Sequence, residues 1–130
     1  MTGELILIVE DDENSRMLAR DVLQATGYRT AEVATAEEGL RLAHETPPDL
    51  ILMDIHLPGM SGVDALQHLR GDPATRGIPV MAVTASAMTH DRPRIMAAGF
   101  DGYQTKPISV RELLEAVRTL LEPPRPPDTP

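Results

Sequence analysis

Five short apolar runs alternate with amphipathic stretches along this chain. The runs are Leu5–Val9, Arg29–Val33, Leu50–Met53, Val80–Val83 and Gly102–Thr105. The first, third and fourth are almost continuously apolar, as expected of parallel strands covered on both faces. The second and fifth carry more polar residues and suit the edges of a sheet.

The intervening segments read as helices. Asn14–Thr26 places Leu18, Val22 and Ala25 on one face, and Gly27 supplies a stop. Thr35-Ala36-Glu37-Glu38 is a capping box for a second helix reaching about His44, and Pro47-Pro48 ends that region. Val63–Arg70 is a short third helix. A fourth covers Asp91–Ala98, with Pro93 tolerable only in its first turn. Ser109-Val110-Arg111-Glu112 is a second capping box. It opens a last helix with Leu113, Leu114, Val117, Leu120 and Leu121 on one stripe.

Five strand–helix units in series, joined by right-handed crossovers, give an α/β fold with a doubly wound parallel sheet. The flavodoxin-like order 2-1-3-4-5 is the expected arrangement. One domain over residues 1–122 accounts for the pattern. Residues 123–130, with five prolines, are expected to form a disordered tail.

Composition narrows the function. The 130 residues include 12 basic and 20 acidic ones, a net charge of −8. Such a chain repels polyanions, and its three aromatics (Tyr28, Phe100, Tyr103) offer little for base stacking, so nucleic acid is not an expected partner. No apolar run approaches the ~20 residues that cross a bilayer. The N-terminus lacks the basic region of a signal peptide, and there is no cysteine. A cytoplasmic protein is expected.

In a doubly wound sheet, ligands bind at the carboxyl ends of the strands. Those ends carry Glu10-Asp11-Asp12, Asp54, Thr84-Ala85 and Lys106-Pro107. Taken singly, Asp11 and Asp12 would serve as helix caps, Asp54 as a turn residue before Pro58-Gly59, and Thr84 as an ordinary strand residue. Together they form a set with chemical logic. Clustered carboxylates repel unless a cation joins them, and hard oxygen ligands suit Mg²⁺. An Asp can attack phosphorus to form an acyl phosphate, and an ammonium offsets the charge that develops. Lys106 is the only lysine beside eleven arginines, which fits a need for a compact point charge at that strand end.

These residues match a known pattern. The segments Ile6–Asp12, Asp49–Gly62, Val83-Thr84-Ala85 and Lys106-Pro107 resemble the receiver domain of two-component response regulators over residues 4–122. The stretches Val80–Met88 and Lys106–Val110 are most similar to stand-alone bacterial receivers, such as those of cell-division, polarity and chemotaxis circuits. The resemblance implies that Asp54 accepts phosphate from the phosphohistidine of a sensor kinase or phosphotransfer protein. Asp12 and Asp54, with the backbone carbonyl of His56, would bind Mg²⁺ directly, and Asp11 would act through a metal-bound water. Lys106 and Thr84 would contact phosphate oxygens, Ala85 would keep that edge open, and Lys106-Pro107 would be a cis peptide. Thr84 and Tyr103 would form a switch that alters the face made by the fourth helix, fifth strand and fifth helix, where a downstream protein docks. His56, Ser86 and Pro93 depart from the usual pattern without removing an essential group.

Other readings compete. A phosphohydrolase with an Asp nucleophile usually carries Asp-x-Asp, which Asp54-Ile55-His56 lacks. A degenerate scaffold would not need the intact acidic, threonine and lysine set. His44, His68 and His90 have no partner at metal spacing and read as solvent-exposed. Arg92, Arg94, Asp101, Glu112, Glu115 and Arg118 offer ion pairs for a weak homodimer, although a monomer serves equally well.

Overall fold

In the computed structural model, which describes residues 3–85 and 91–122, strands and helices alternate strictly. They are β1 (Leu5–Val9), α1 (Glu13–Ala25), β2 (Arg29–Val33), α2 (Ala36–Glu45), β3 (Leu50–Asp54), α3 (Gly62–Gly71), β4 (Val80–Thr84), α4 (Asp91–Ala97), β5 (Gly102–Thr105) and α5 (Val110–Leu121). The sheet is wholly parallel in the order β2-β1-β3-β4-β5, as the hydrophobic pattern predicts. Ser86–Met88, His90 and the proline-rich segment 123–130 lie outside the described residues.

The central strands are apolar on both sides because helices cover both sides. Ile6, Ile8, Leu50, Leu52, Met81 and Val83 meet α1 and α5 through Ala19, Leu23, Leu113 and Val117. Leu7, Val9, Ile51, Met53, Val80 and Ala82 face the layer of α2, α3 and α4, which contributes Ala43, Leu66, Leu69 and Ile95. Burying one Leu- or Ile-sized side chain stabilises by about 1.5–3 kcal/mol, so these two layers supply most of what opposes chain entropy.

Local signals set the helix ends. Asp12, Thr35, Ser61 and Ser109 are N-caps whose side-chain oxygens accept from the backbone N–H three residues on. At the end of α1, Gly27 adopts φ 106°. The Gly27 N–H bonds to Gln24 O at 3.0 Å, and the Tyr28 N–H to Leu23 O at 3.1 Å. That pairing satisfies the last carbonyls and turns the chain into β2.

One expectation changes. The core face of α1 runs through Ala19 and Leu23, while Leu18 is 40 % exposed and Ala25 lies at the surface. Met17, Leu18, Ala19, Val22 and Leu23 span an arc wider than one helix face, so periodicity alone allows two phases one residue apart. His44 is solvent-exposed as expected, and its Nδ1 lies 2.7 Å from Asp72 Oδ2, bridging the ends of α2 and α3.

Candidate functional site

The carboxyl ends of β1, β3, β4 and β5 converge on one edge of the sheet. Asp54 closes β3, paired in register with Val83, and its side chain is buried. Thr84 closes β4 and is fully buried. Lys106 follows β5 and precedes a cis bond to Pro107, and its N–H donates to Thr84 O at 2.8 Å. Glu10 follows β1, and its N–H continues the ladder to Val33 O at 3.1 Å.

Gly62 sets how closely α3 approaches this edge. A Cβ there would stand 2.5 Å from the Asp54 carbonyl oxygen and 2.9 Å from Ile55 Cα. Only glycine lets the first turn of α3 pack onto the end of β3, where the Gly62 N–H bonds Ile55 O at 3.0 Å.

Lys106 joins the acids. Its Nζ lies 2.9 Å from Glu10 Oε1 and 3.4 Å from Asp54 Oδ2. Asp54 Oδ1 accepts from the His56 backbone N–H at 3.0 Å, which fixes the orientation of the carboxylate. Burial pushes the Glu10 carboxyl up to about 7, against the pull of Lys106 and of the Asp12 backbone N–H. Burial alone would lower the Lys106 ammonium, but its hydrogen bond to Glu10 and the charges of both carboxylates hold it above its ordinary value.

Carboxylate oxygens of Glu10, Asp11 and Asp54 lie within 4.8 Å of one another. All three donors are hard oxygens, two buried and one open to solvent, a set that suits a small divalent cation keeping part of its water shell.

Asp12, expected among the ligands, is not in this group. Its Oδ2 accepts from the Ser15 N–H at 2.8 Å and caps α1. Hydrogen bonds from Ser15 hold its carboxyl below the usual range, with attraction from Lys106 and Arg16 adding to them. Glu10 takes the place in the cluster that the sequence reading gave to Asp12. The distinguishing signal is the start of α1. A helix beginning at Glu13 makes Asp12 the cap, whereas a start at Asn14 leaves Asp12 open for other work.

Tyr103 lies on β5, half-buried against the α3–α4 side of the core, with the Arg92 guanidinium 5.7 Å from its ring centre. Beside it a groove of about 560 Å³ runs between β5 and α5, bounded by Tyr103, Gln104, Glu112, Glu115 and Thr119. Gln104 Oε1 is buried there without a hydrogen-bond partner among the described residues.

Comparison with known proteins agrees with this geometry. The family model for the response regulator receiver domain matches residues 6–118. The polar-differentiation response regulator DivK of Brucella ovis is 46% identical over 116 residues, covering 89% of this chain and 94% of the relative, and its Brucella anthropi counterpart is equally similar. Among solved structures, the receiver domain of a Pseudomonas aeruginosa sensor histidine kinase superposes with a TM-score of 0.84 at 33% identity, over 92% of this chain and 98% of that one. That structure has magnesium coordinated in its active-site cleft. The signal receiver domain of a Syntrophus aciditrophicus histidine kinase gives a TM-score of 0.83 at 35% identity, over 92% and 90% of the two chains. Two-component signalling, rather than the turnover of an external substrate, is the business of this family. The chain belongs to the response regulator receiver domains and is DivK-like among them.

Proposed function

We propose that this receiver accepts a phosphoryl group on Asp54 from the phosphohistidine of a sensor kinase or phosphotransfer protein in the cytoplasm. The signal then passes through changed contacts with a protein target. The observation that carries the reading is Lys106 Nζ standing between Glu10 and Asp54 while Asp11 faces the same point from solvent.

An Asp54 carboxylate oxygen attacks phosphorus, the P–N bond to the donor imidazole breaks, and the imidazole leaves with the bonding pair and takes up a proton. The His56 N–H holds Oδ1, which orients the nucleophile. The Lys106 ammonium is within reach of a phosphoryl oxygen and offsets its charge. Mg²⁺, held by Asp11 and Asp54 with Glu10 beside them and the His56 carbonyl as a further ligand, would supply the remaining positive charge when bound. Thr84, at the neighbouring strand end, takes another phosphoryl oxygen, and Tyr103 follows it. The groove between β5 and α5 changes shape with that ring, which is how a local charge event reaches a partner. The chain acts as a monomer or weak homodimer.

The test is incubation with Mg²⁺ and acetyl phosphate followed by intact-mass measurement. One phosphoryl group is expected on the native chain and none on Asp54→Asn. Addition to the Asn variant, or none to the native chain in Mg²⁺, overturns the reading.

A further inference from the structure

The loop between β1 and α1 is three residues long, and all three, Glu10, Asp11 and Asp12, are acids. Like charges so close repel one another, yet the loop must hold Glu10 and Asp11 near Asp54. Lys106 restrains the loop from the β5 side, through the Glu10 carboxylate. On the opposite side stands one arginine that the phosphoryl chemistry leaves unused.

Arg16 lies in the first turn of α1, where its N–H makes a helical bond to Asp12 O at 2.9 Å. Its Nη1 donates to the main-chain carbonyl of Glu10 at 2.9 Å. Its Nε lies 3.4 Å from Glu32 Oε1 on β2. Glu32 is held in turn by Arg20, whose Nη1 is 3.4 Å from Oε2. One planar fork therefore ties the end of β1, the start of α1 and the neighbouring strand. The side chain is 21% exposed and Glu32 26%, so the tie is partly shielded from water. The bond to Glu10 goes to the backbone and fixes the peptide from which Asp11 projects.

We infer that Arg16 is a positioning residue for the cation site. Acting through the Glu10 main chain and anchored on Glu32, it holds the acidic loop in the geometry that binds Mg²⁺. It touches neither the cation nor the phosphoryl group. This inference rests on the proposed function above and adds a residue to it. Lysine cannot replace it, because an ammonium lacks the fixed fork that reaches the carbonyl and Glu32 together.

The test is Mg²⁺ affinity by isothermal titration calorimetry on the native chain, Arg16→Met, Arg16→Lys and Glu32→Gln. All four are measured at a temperature where circular dichroism shows each fully folded. Residues that orient metal ligands from behind typically change affinity 10–100-fold. Arg16→Met is expected to weaken Mg²⁺ about tenfold, and Arg16→Lys to recover only part of that. Glu32→Gln should weaken it less than Arg16→Met.

The rate of phosphorylation by acetyl phosphate gives a second readout. It should fall in Arg16→Met at sub-saturating Mg²⁺ and return to the native value at saturation, a split that simple loss of stability would not produce. Native Mg²⁺ affinity in folded Arg16→Met overturns the role of Arg16 and leaves the Asp54 reading standing. Failure of the native chain itself to bind Mg²⁺ overturns both.

Discussion

Replacing Glu10 by glutamine should change how stability depends on pH in the absence of divalent cations. Folding raises the Glu10 carboxyl from 4.5 to about 7, so in that window the native state holds a proton that the unfolded chain releases. The sign follows from proton linkage. The contribution of Glu10 is fully present below 4.5 and is lost as pH rises through about 7. At ~1.4 kcal/mol per pH unit the loss amounts to roughly 3 kcal/mol across the interval. Lys106 acts elsewhere, since a raised ammonium stabilises below its unfolded value of 10.5 and loses that effect only above it. Asp12, whose carboxyl is lowered, matters only as pH falls below 3.8. Glutamine keeps an acceptor for Lys106 and for the Asp12 N–H but cannot ionise.

The assay is urea unfolding in a chelator from pH 5.5 to 8, followed by far-UV circular dichroism. The series begins clear of the isoelectric point near 4.8, where low net charge favours association. The stability difference, Glu10→Gln minus native, should grow by about 2 kcal/mol from the lower to the upper pH, with the variant the more stable at pH 8. Millimolar Mg²⁺ should return most of the difference to the native chain by binding its folded state. Parallel pH curves for the two proteins in chelator would refute the reasoning, because the buried carboxyl would then not be holding its proton.

Substitutions at four further positions have expected outcomes. Asp12→Ala should cost about 0.5–2 kcal/mol through loss of the α1 cap, while Asp12→Asn should retain both the cap and Mg²⁺ affinity; Asp11→Asn should lose Mg²⁺ binding in the same calorimeter. Gly62→Ala should destabilise by about 1–3 kcal/mol in urea, because the added methyl meets backbone rather than a side chain that can turn away. It should also slow phosphorylation of Asp54. Leu113→Ala, at a fully buried α5 position against the sheet, should cost about 2–5 kcal/mol and lower Tm without changing Mg²⁺ affinity.

Strand identity and order were legible because β1, β3 and β4 are apolar at nearly every position, a pattern that only a doubly covered sheet satisfies. Helix starts were legible where a hydroxyl cap stood three residues before an acid, at Thr35 and Ser109. Two details escaped for the same reason, a one-residue ambiguity. The apolar arc of α1 admits two phases, and side-chain packing chose Ala19 and Leu23 over Leu18 and Ala25. The start of α1 decided whether Asp12 caps the helix or joins the carboxylate cluster. Once it caps, the buried strand-end residue Glu10 becomes the neighbour of Lys106 and Asp54. Arg16 gave no signal in the sequence, since an arginine in the first turn of a helix reads as a solvated charge until β2 is known to pass beside it.

Lys106 has a practical consequence for anyone studying this switch. Because it is the sole lysine, an amine-acylating reagent finds a single side-chain target, apart from the terminal amine. That target is clasped between two carboxylates. The yield of labelling at this one position becomes a direct chemical gauge of whether the clasp is closed, opened by substitution, or engaged with an incoming anion.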